Sequence, residues 1–374
     1  MSALYIHIPY CTKACHYCDF HFSTNVSTKA QMLEAICAEI AHQQNYLPTQ
    51  VLQSIYFGGG TPSLLSMGEL EKILSHIQQF FTFDNDIEIT LEANPDDINL
   101  QKLKDFRALG INRLSIGIQT FDEAALTYLN RAHNGQMAHT CLQQAQAAGF
   151  DNLTADLMYA LPTVSFDRFR QDVSTLAVQY QIPHISIYGL TIEPNTVFGR
   201  KKVMPQPEEI AAQQFEYLMD FLRAEGYVQY EISNFGKPGY FAKHNSMYWR
   251  NVPYLGIGPS AHSFDGRRRQ YNIANNALYA KALLHTNTLP ATIEQLSPES
   301  RANELIMTGL RTIWGMNPAV IQQETGLLLG EEQQQAVQRF EKQQLLLQND
   351  EVIILTQAGK LLADQLAADL FFDT

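Results

Sequence analysis

The strongest constraint on the fold is the alternation of two kinds of segment over the first half of the chain. Between residues 4 and 190, short β-rich runs alternate with helical patterns of about fifteen residues. Six strands are predicted, over residues 4–8, 54–57, 87–92, 113–118, 153–158 and 184–188. Repeated βα units build a parallel sheet, and six of them make an incomplete barrel. The predicted fold class is therefore α/β, a partial (β/α)6 TIM-like barrel.

The alternation of strands and helices ends after the sixth strand, and three regions of the chain are predicted. The barrel core is predicted over residues 1–235 and ends with a helix at 207–225. Residues 236–296 are predicted to extend the barrel. From residue 297 the pattern indicates short helices, a β-rich run at 351–356 and a last helix. This order predicts a small C-terminal α+β appendage, winged-helix-like, over residues 297–374.

Charge and hydropathy limit the classes of function. The 374 residues carry 26 Lys and Arg against 38 Asp and Glu, a formal net charge of -12. That sign opposes binding to a phosphate backbone, so nucleic acid is not expected as a partner. The sequence shows no apolar run of bilayer length and no secretion signal, so we expect a cytoplasmic protein. The basic run Arg267-Arg268-Arg269 is either a solvated surface or a subsite for propionates or phosphates.

Three of the five cysteines fall within eight positions, directly after the first predicted strand. Cys11, Cys15 and Cys18 lie on the side where parallel barrels place their active sites. Three thiolates can wrap a soft metal centre, which can be an iron–sulfur cluster, zinc or copper(I), and the alternative is an incidental group of cysteines. Zinc would need a fourth ligand, for which the candidates are His7, His16 and His21, whereas a cluster with three protein ligands leaves one iron open.

Polar residues and glycines stand at the ends of the next predicted strands. Gly58-Gly59-Gly60 ends the second strand, and Glu92 ends the third. Gln119 follows the fourth strand, and Asp156 lies late in the fifth. Each could by itself be a turn glycine or a satisfied buried polar residue. Four such positions at consecutive strand ends favour one common site.

The cysteine loop resembles the radical S-adenosylmethionine (SAM) superfamily, whose motif is Cys-x-x-x-Cys-x-aromatic-Cys, with Tyr17 in the aromatic position. The resemblance implies a [4Fe–4S] cluster whose open iron binds SAM. The order of the motifs, with Tyr5-Ile6-His7-Ile8-Pro9 before the first cysteine, is also similar to the oxygen-independent coproporphyrinogen III oxidase family along essentially the whole chain.

That resemblance also implies roles for single residues around SAM. Tyr5 would approach the methionine, and Arg131 would bind its carboxylate. Phe20 would lie near the adenine, together with residues 188–190. The other contacts carried over from the family are Gly59, Gly60 and Thr61 for the amino group, Glu92 and Gln119 for the ribose or nearby atoms, and Asp156 for the nucleoside side.

Two features depart from the oxidase and resemble its heme-chaperone branch, HemW. Phe20 stands where the oxidase has a fourth cysteine, and only ten residues precede Cys11. The run from His244 to Trp249 matches the branch's His-Asn-x-x-Tyr-Trp motif, and an imidazole is a good axial ligand for heme iron. The alternative for His244 is a packed, hydrogen-bonded histidine beside two aromatic residues. His262 is a secondary candidate for heme or substrate.

The resemblance to this branch implies a protein that binds heme, a [4Fe–4S] cluster and SAM. Its partner would be a heme-accepting protein such as a membrane-bound respiratory cytochrome. The alternative is an oxidase that uses SAM to decarboxylate coproporphyrinogen III to protoporphyrinogen IX, an activity that Phe20 makes unexpected. The sequence indicates neither a monomer nor a dimer.

Overall fold

The computed structural model describes residues 1–349 and 351–373, and its centre is a sheet of six parallel strands in sequence order. Asp350 and Thr374, which the predicted appendage includes, lie outside the described residues. The six strands are β1 (Ala3–Ile8), β2 (Val51–Gly59), β3 (Thr82–Ala93), β4 (Arg113–Gln119), β5 (Leu153–Tyr159) and β6 (His184–Gly189). The predicted incomplete α/β barrel is thus confirmed.

Helices connect successive strands and cover the outer face of the sheet. They are α1 (Lys29–His42), α2 (Met67–Ile77), α3 (Leu100–Ala108), α4 (Glu123–Tyr128), α5 (Gly135–Ala147) and α6 (Phe166–Ser174). Their starts follow local chemistry: before α2, the Ser66 hydroxyl accepts from the Glu69 amide while the Glu69 carboxylate accepts from the Ser66 amide. This reciprocal pair satisfies amide donors that the first turn of a helix leaves free.

Side chains alternate along the parallel strands between an apolar outer face and a polar inner face. In β4, Leu114 and Ile116 are buried outside, whereas Arg113 and Ser115 belong to the inner set. The outer residues form one large core with the helices. Apolar and polar residues therefore alternate along each strand, whereas the strands of a parallel sheet buried on both faces are usually apolar throughout. The inner face of the barrel is therefore the place for a polar ligand.

Further strands extend the sheet on both sides, so it has twelve strands in all. Beyond β6, helices α7 (Val197–Arg200) and α8 (Glu208–Ala224) lead to β7 (Val228–Gln229) and β8 (Asn234–Gly236), and β8 pairs antiparallel with β6. On the other side, β9 (Tyr254–Ile257) pairs parallel with β1. The remaining elements of this region are α9 (Lys243–Trp249), β10 (His262–Phe264), β11 (Arg268–Asn272), α10 (Asn276–Lys281) and β12 (Ala291–Gln295).

The C-terminal part packs around its own apolar core. Its two short antiparallel strands are β13 (Leu346–Gln348) and β14 (Ile353–Leu355). The helices of this part are α11 (Pro298–Leu310), α12 (Pro318–Thr325), α13 (Glu331–Lys342), α14 (Gln357–Lys360) and α15 (Ala363–Ala368). The small α+β appendage predicted from the sequence is present.

The C-terminal part is joined to the barrel by polar and aromatic contacts. The buried Arg301 on α11 donates to Asn251 Oδ1 at 2.8 Å, and it also donates to the carboxylates of Glu304 and Glu324. Arg311 lies 5.6 Å from the centre of the Trp249 ring. Over the described residues, no helix combines the length and apolar character that crossing a membrane requires.

Candidate cluster and cofactor site

The cysteine loop follows β1 and is fastened to the turn after α4. Asn130 Nδ2 donates to the Ala14 carbonyl at 2.6 Å, and the His16 amide donates to the Leu129 carbonyl at 3.0 Å. Lys13 Nζ adds a bond to the Arg131 carbonyl at 3.2 Å. These contacts hold the loop over the carboxyl ends of the strands, on the side where the sequence predicts the site.

Two hydrogen-bond donors reach the cysteine sulfurs. Thr61 Oγ1 donates to Cys11 Sγ at 3.4 Å, and Arg131 Nη1 donates to Cys15 Sγ at 3.5 Å. Burial raises the pKa of Cys11 to about 12 and that of Cys18 to about 11. Thiolates at these positions therefore need a cationic partner, and iron ions supply that charge. Three cysteine ligands on one loop, two of which accept hydrogen bonds at their sulfurs, fit an iron–sulfur cluster.

The histidines considered for a zinc site have other partners. His7 Nε2 bonds to the His21 carbonyl at 2.8 Å, and His16 Nδ1 bonds to the Tyr128 carbonyl at 2.9 Å. His21 Nε2 faces Asn276 Oδ1 at 2.7 Å. Within residues 1–349 and 351–373, no three His, Cys, Asp or Glu side chains are grouped to hold a single metal ion. His7 has both ring nitrogens engaged, since its Nδ1 also lies 3.1 Å from Tyr5 Oη, whereas His16 and His21 each show one engaged nitrogen.

The glycines that end β2 have a structural reason of their own. Gly59 has a φ of +104°, and a Cβ there would lie 2.5 Å from the His7 ring. A Cβ on Gly60 would lie 2.6 Å from the Tyr10 carbonyl oxygen. The Thr61 amide donates to that same carbonyl at 2.7 Å. The glycines therefore let the end of β2 close against the segment that leads into Cys11.

Glu92 and Asp156 are two carboxyl groups inside the barrel. Tyr56 Oη donates to Glu92 at 2.7 Å, and the Gly59 amide donates to it at 3.2 Å. Burial, reinforced by the charge of Asp156, raises the pKa of Glu92 to about 7. Burial also raises the pKa of Asp156 to about 6, although the Ser115 hydroxyl donates to it at 3.4 Å. Tyr56 was not expected from the sequence, because a strand tyrosine carries no motif signal.

Arg131, Gln119 and Asn94 converge over Gly117. An ideal Cβ on Gly117 would lie 3.1 Å from Arg131 Nη2, 3.2 Å from Gln119 Nε2 and 3.3 Å from Asn94 Oδ1. Gln119 has a left-handed backbone, with φ of +67°. Arg131 Nη2 donates to the Gly117 carbonyl at 2.7 Å. The structure thus brings two predicted SAM contacts, Arg131 and Gln119, together and adds Asn94. Nothing in the sequence indicated Asn94 beyond its position two residues after Glu92.

The aromatic residues predicted near SAM differ in exposure. Tyr5 is partly buried in the inner face, and its hydroxyl lies 3.1 Å from His7 Nδ1. Phe20 is 72% exposed, and Tyr188 at the end of β6 is 47% exposed. Large exposed aromatic rings at the mouth of a barrel are available for a planar ligand.

His244 lies at the opposite end of the barrel from the cysteine loop. It is 2% exposed, and its ring stacks on Tyr56 with centroids 5.1 Å apart. Its Nδ1 lies 2.7 Å from Ser54 Oγ and its Nε2 lies 2.8 Å from Tyr248 Oη. Both ring nitrogens are thus engaged within the protein. Burial lowers the pKa of His244 to about 3, so the ring is neutral.

The other residues of the motif join α9 to its surroundings. Asn245 Nδ2 donates to Tyr230 Oη at 3.1 Å, and the Tyr248 ring packs edge-on against Tyr254 at 4.4 Å. Trp249 is the residue that contacts Arg311 of the C-terminal part. The secondary candidate His262 is exposed at the start of β10, and its ring lies 5.6 Å from that of Tyr271.

Sequence comparison agrees with this arrangement. Residues 5–176 match the radical SAM superfamily, and residues 296–362 match the HemN C-terminal domain. A Bacillus subtilis (strain 168) protein named heme chaperone HemW is 32% identical over 373 residues, which cover 98% of both chains. The chain belongs to the HemW family. An Escherichia coli (strain K12) HemW relative is 37% identical over 262 residues, covering 70% of this chain and 69% of the relative.

A solved structure supports the fold of this HemW family member. The coproporphyrinogen III oxidase HemN from Escherichia coli, described as a radical SAM enzyme, superposes with a TM-score of 0.85. The match covers 99% of this chain and 90% of HemN at 23% sequence identity. The oxidase and the HemW family therefore share the barrel and the C-terminal part. Radical SAM membership implies a [4Fe–4S] cluster and SAM.

Proposed function

We propose that this chain is a heme chaperone, which binds heme together with a [4Fe–4S] cluster and SAM and passes the heme to an acceptor protein. The observation that carries the proposal is the full-length similarity to a relative named heme chaperone HemW. The His-Asn-x-x-Tyr-Trp run and the phenylalanine at position 20 support it. The proposed setting is the cytoplasm, with a membrane-bound respiratory cytochrome as one class of acceptor.

Cys11, Cys15 and Cys18 would hold the cluster, and SAM would bind its open iron through its amino and carboxylate groups. The chain's own residues would orient the rest of that molecule. Arg131 has the charge to pair with the SAM carboxylate, and its guanidinium stands beside Cys15. Glu92, once ionised, can accept both ribose hydroxyls. Tyr5, Phe20, Gly59, Gly60, Thr61, Gln119 and Asp156 complete the proposed SAM contacts.

Anaerobic reconstitution tests the cluster. The wild-type protein should take up iron and sulfide and turn brown, and replacement of Cys11, Cys15 or Cys18 by alanine should abolish that uptake. Cys141→Ala is the matched control, because Cys141 is buried in α5 and should leave the uptake unchanged. Iron and sulfide analysis provides the measurement. A colourless wild-type protein that contains zinc and no sulfide would refute the cluster.

Heme binding requires a change around His244. Iron ligation needs a free ring nitrogen, and in the structure Nε2 is bonded to Tyr248 while Nδ1 is bonded to Ser54. His244 and Tyr248 both belong to α9, so a movement of this helix away from β2 would separate His244 from Ser54 and free Nδ1. We propose that this movement accompanies heme binding. The neutral ring of His244 is already in the protonation state that a metal ligand needs.

A heme titration followed by absorption spectroscopy tests this part. His244→Ala should weaken heme binding at least tenfold, which corresponds to about 1.4 kcal/mol. His285→Ala is the matched control, because His285 is exposed and lies outside the motif. If only His262→Ala lost heme binding, the heme ligand would be His262 on β10 instead of His244. A well-folded wild-type protein that takes up no heme would refute the chaperone, and anaerobic formation of protoporphyrinogen IX would support the oxidase alternative instead.

A further inference from the structure

Asn94 joins two groups that contact two different cysteine sulfurs. Its Nδ2 donates to Thr61 Oγ1 at 3.0 Å, and its Oδ1 accepts from Arg131 Nη2 at 2.5 Å. Thr61 in turn donates to Cys11 Sγ, and Arg131 donates to Cys15 Sγ. A continuous path of hydrogen bonds therefore runs from Cys11 to Cys15 through three side chains that come from the ends of β2 and β3 and from the turn after α4.

The direction of every bond in this path follows from the chemistry of its members. A guanidinium has only donors, so Arg131 requires the side-chain oxygen of Asn94 to face it. The amide NH2 then faces Thr61, whose oxygen must accept. The hydroxyl still has its own proton to donate, and a thiolate sulfur can only accept, so the bond between Thr61 and Cys11 runs from the hydroxyl to the sulfur. An aspartate at position 94 has no donor, and it would instead accept the Thr61 proton.

We infer that Asn94 is a positioning residue, which aims the hydroxyl of Thr61 at Cys11 and the guanidinium of Arg131 at Cys15. Hydrogen bonds to ligand sulfurs tune the reduction potential of an iron–sulfur cluster. Reduction adds an electron to the cluster, so donors at the sulfurs favour the reduced form. Asn94 thereby raises the potential without contacting the cluster ligands itself. The inference rests on the cluster in the proposed function and is independent of heme.

The test is a spectroelectrochemical titration of the reconstituted cluster, without SAM, in four proteins. Asn94→Asp is isosteric but turns the Thr61 proton away from Cys11. At a fixed potential we expect its ratio of reduced to oxidised cluster to fall about tenfold, equivalent to about 59 mV for one electron. Thr61→Val should shift the ratio in the same direction. In the double variant the shift in potential should be smaller than the sum of the two single shifts, because both substitutions act through one hydroxyl.

Asn112→Asp is the matched control for the added charge. Asn112 also bridges two groups, since Nδ2 donates to the Ile87 carbonyl at 2.7 Å and Oδ1 accepts from the Ile89 amide at 2.9 Å. It precedes β4, at the end of the sheet away from the cysteines. Its aspartate variant should keep the wild-type potential although it loses stability. Thr61→Ser retains the hydroxyl and should also keep that potential.

Three results would overturn the inference. These are strictly additive effects of Asn94→Asp and Thr61→Val, a shift in Asn112→Asp as large as that in Asn94→Asp, and a Thr61→Val cluster with the wild-type potential. If Asn94→Asp fails to retain a cluster, the comparison of Thr61→Val with Thr61→Ser decides. If the wild-type protein takes up no cluster, the inference falls together with the cluster assignment, while heme binding is judged separately.

Discussion

At the scale of single residues, the barrel holds two carboxyl groups whose pKa values are raised above the usual range. Glu92 and Asp156 lie on the inner face, where burial disfavours their charged forms and raises the pKa of each. A ligand that donates hydroxyl groups compensates an ionised carboxylate in such a place. The raised pKa values thus belong to the ligand-free protein, and they make its stability depend on pH.

The folded protein holds these protons more tightly than the unfolded chain, so both groups stabilise it most at low pH. Their contribution should be complete below about pH 4 and lost as the pH rises through about 6 for Asp156 and about 7 for Glu92. Between about pH 4.5 and 7 the free energy of unfolding should fall less steeply in Glu92→Gln than in the wild-type protein. The difference in slope should be at most that of one proton, about 1.4 kcal/mol per pH unit. Urea unfolding of the cluster-free protein measures it.

Glu332→Gln supplies the comparison, because Glu332 is exposed on α13. Its pH profile should coincide with that of the wild-type protein. A Glu92→Gln profile parallel to the wild-type profile would show that Glu92 is already ionised in the folded protein.

At the scale of elements, α9 depends on one buried carboxylate. Glu88 accepts from the backbone amides of Lys243 and His244, both at 3.1 Å, and so satisfies the free donors of the helix start. Arg113, also buried, lies 3.7 Å from the same carboxylate. An unpaired buried arginine is costly, so helix and ion pair depend on each other.

Replacement of Glu88 by glutamine should therefore lower the free energy of unfolding by about 3 kcal/mol, because it leaves Arg113 buried without its counter-charge. Denaturant unfolding followed by circular dichroism is the measurement. Asp86→Asn is the control, since Asp86 binds Lys243 on the surface, where its side chain is 92% exposed. The control should be unaffected; equal losses in both variants would contradict the role given to Glu88.

At the scale of the whole molecule, the two apolar cores are joined by Ile232, which packs against both, and by polar contacts. Arg301 reaches back from α11 to Asn251, just after α9, while it binds Glu304 and Glu324 within the C-terminal part. The Ile313 amide donates to the Tyr230 carbonyl at 3.0 Å. These directional bonds add to the apolar packing and fix the position of the C-terminal part.

Arg301→Ala should cost about 2–3 kcal/mol, the range for lost hydrogen bonds to charged groups. It should also expose the segment between β12 and α11 to limited proteolysis. Calorimetry and mass spectrometry of the fragments test both effects. Arg339→Ala removes an exposed arginine that pairs with Asp369 within the same part, so it should change little. Resistance of Arg301→Ala to protease equal to that of Arg339→Ala would contradict this role.

The sequence predicted the six parallel strands because their local pattern is strong, but it made several of them too short. β3 begins at Thr82 rather than at residue 87, because Asp84, Asn85 and Asp86 have low strand propensity and interrupt the pattern. The helix predicted at 207–225 was confirmed as Glu208–Ala224. The pairing of β9 with β1 joins segments far apart in the chain, and no local pattern indicates such a contact.

The same limit applies to the site. The carboxyl ends of parallel strands meet at one edge, and this rule let the sequence place Glu92, Gln119 and the glycine turn near the cysteines. Asn94 was missed, because its role depends on two neighbours that come from other elements. The motif around His244 predicted a heme ligand but did not indicate where in the fold it lies. The structure places this histidine at the end of the barrel away from the cysteine loop.

The far end of the barrel is closed by buried polar side chains. Ser54, Glu88, Arg113 and His184 are almost fully buried there beneath α9 and its flanking segment, whereas Glu92 and Asp156 keep some exposure. In the proposed function, a nucleoside beside Glu92 and a heme iron ligated by His244 would lie at different depths of the barrel. The Tyr56 side chain stands between the two positions, since its ring stacks on His244 and its hydroxyl donates to Glu92. A ligand bound at one position would therefore contact the other through this tyrosine.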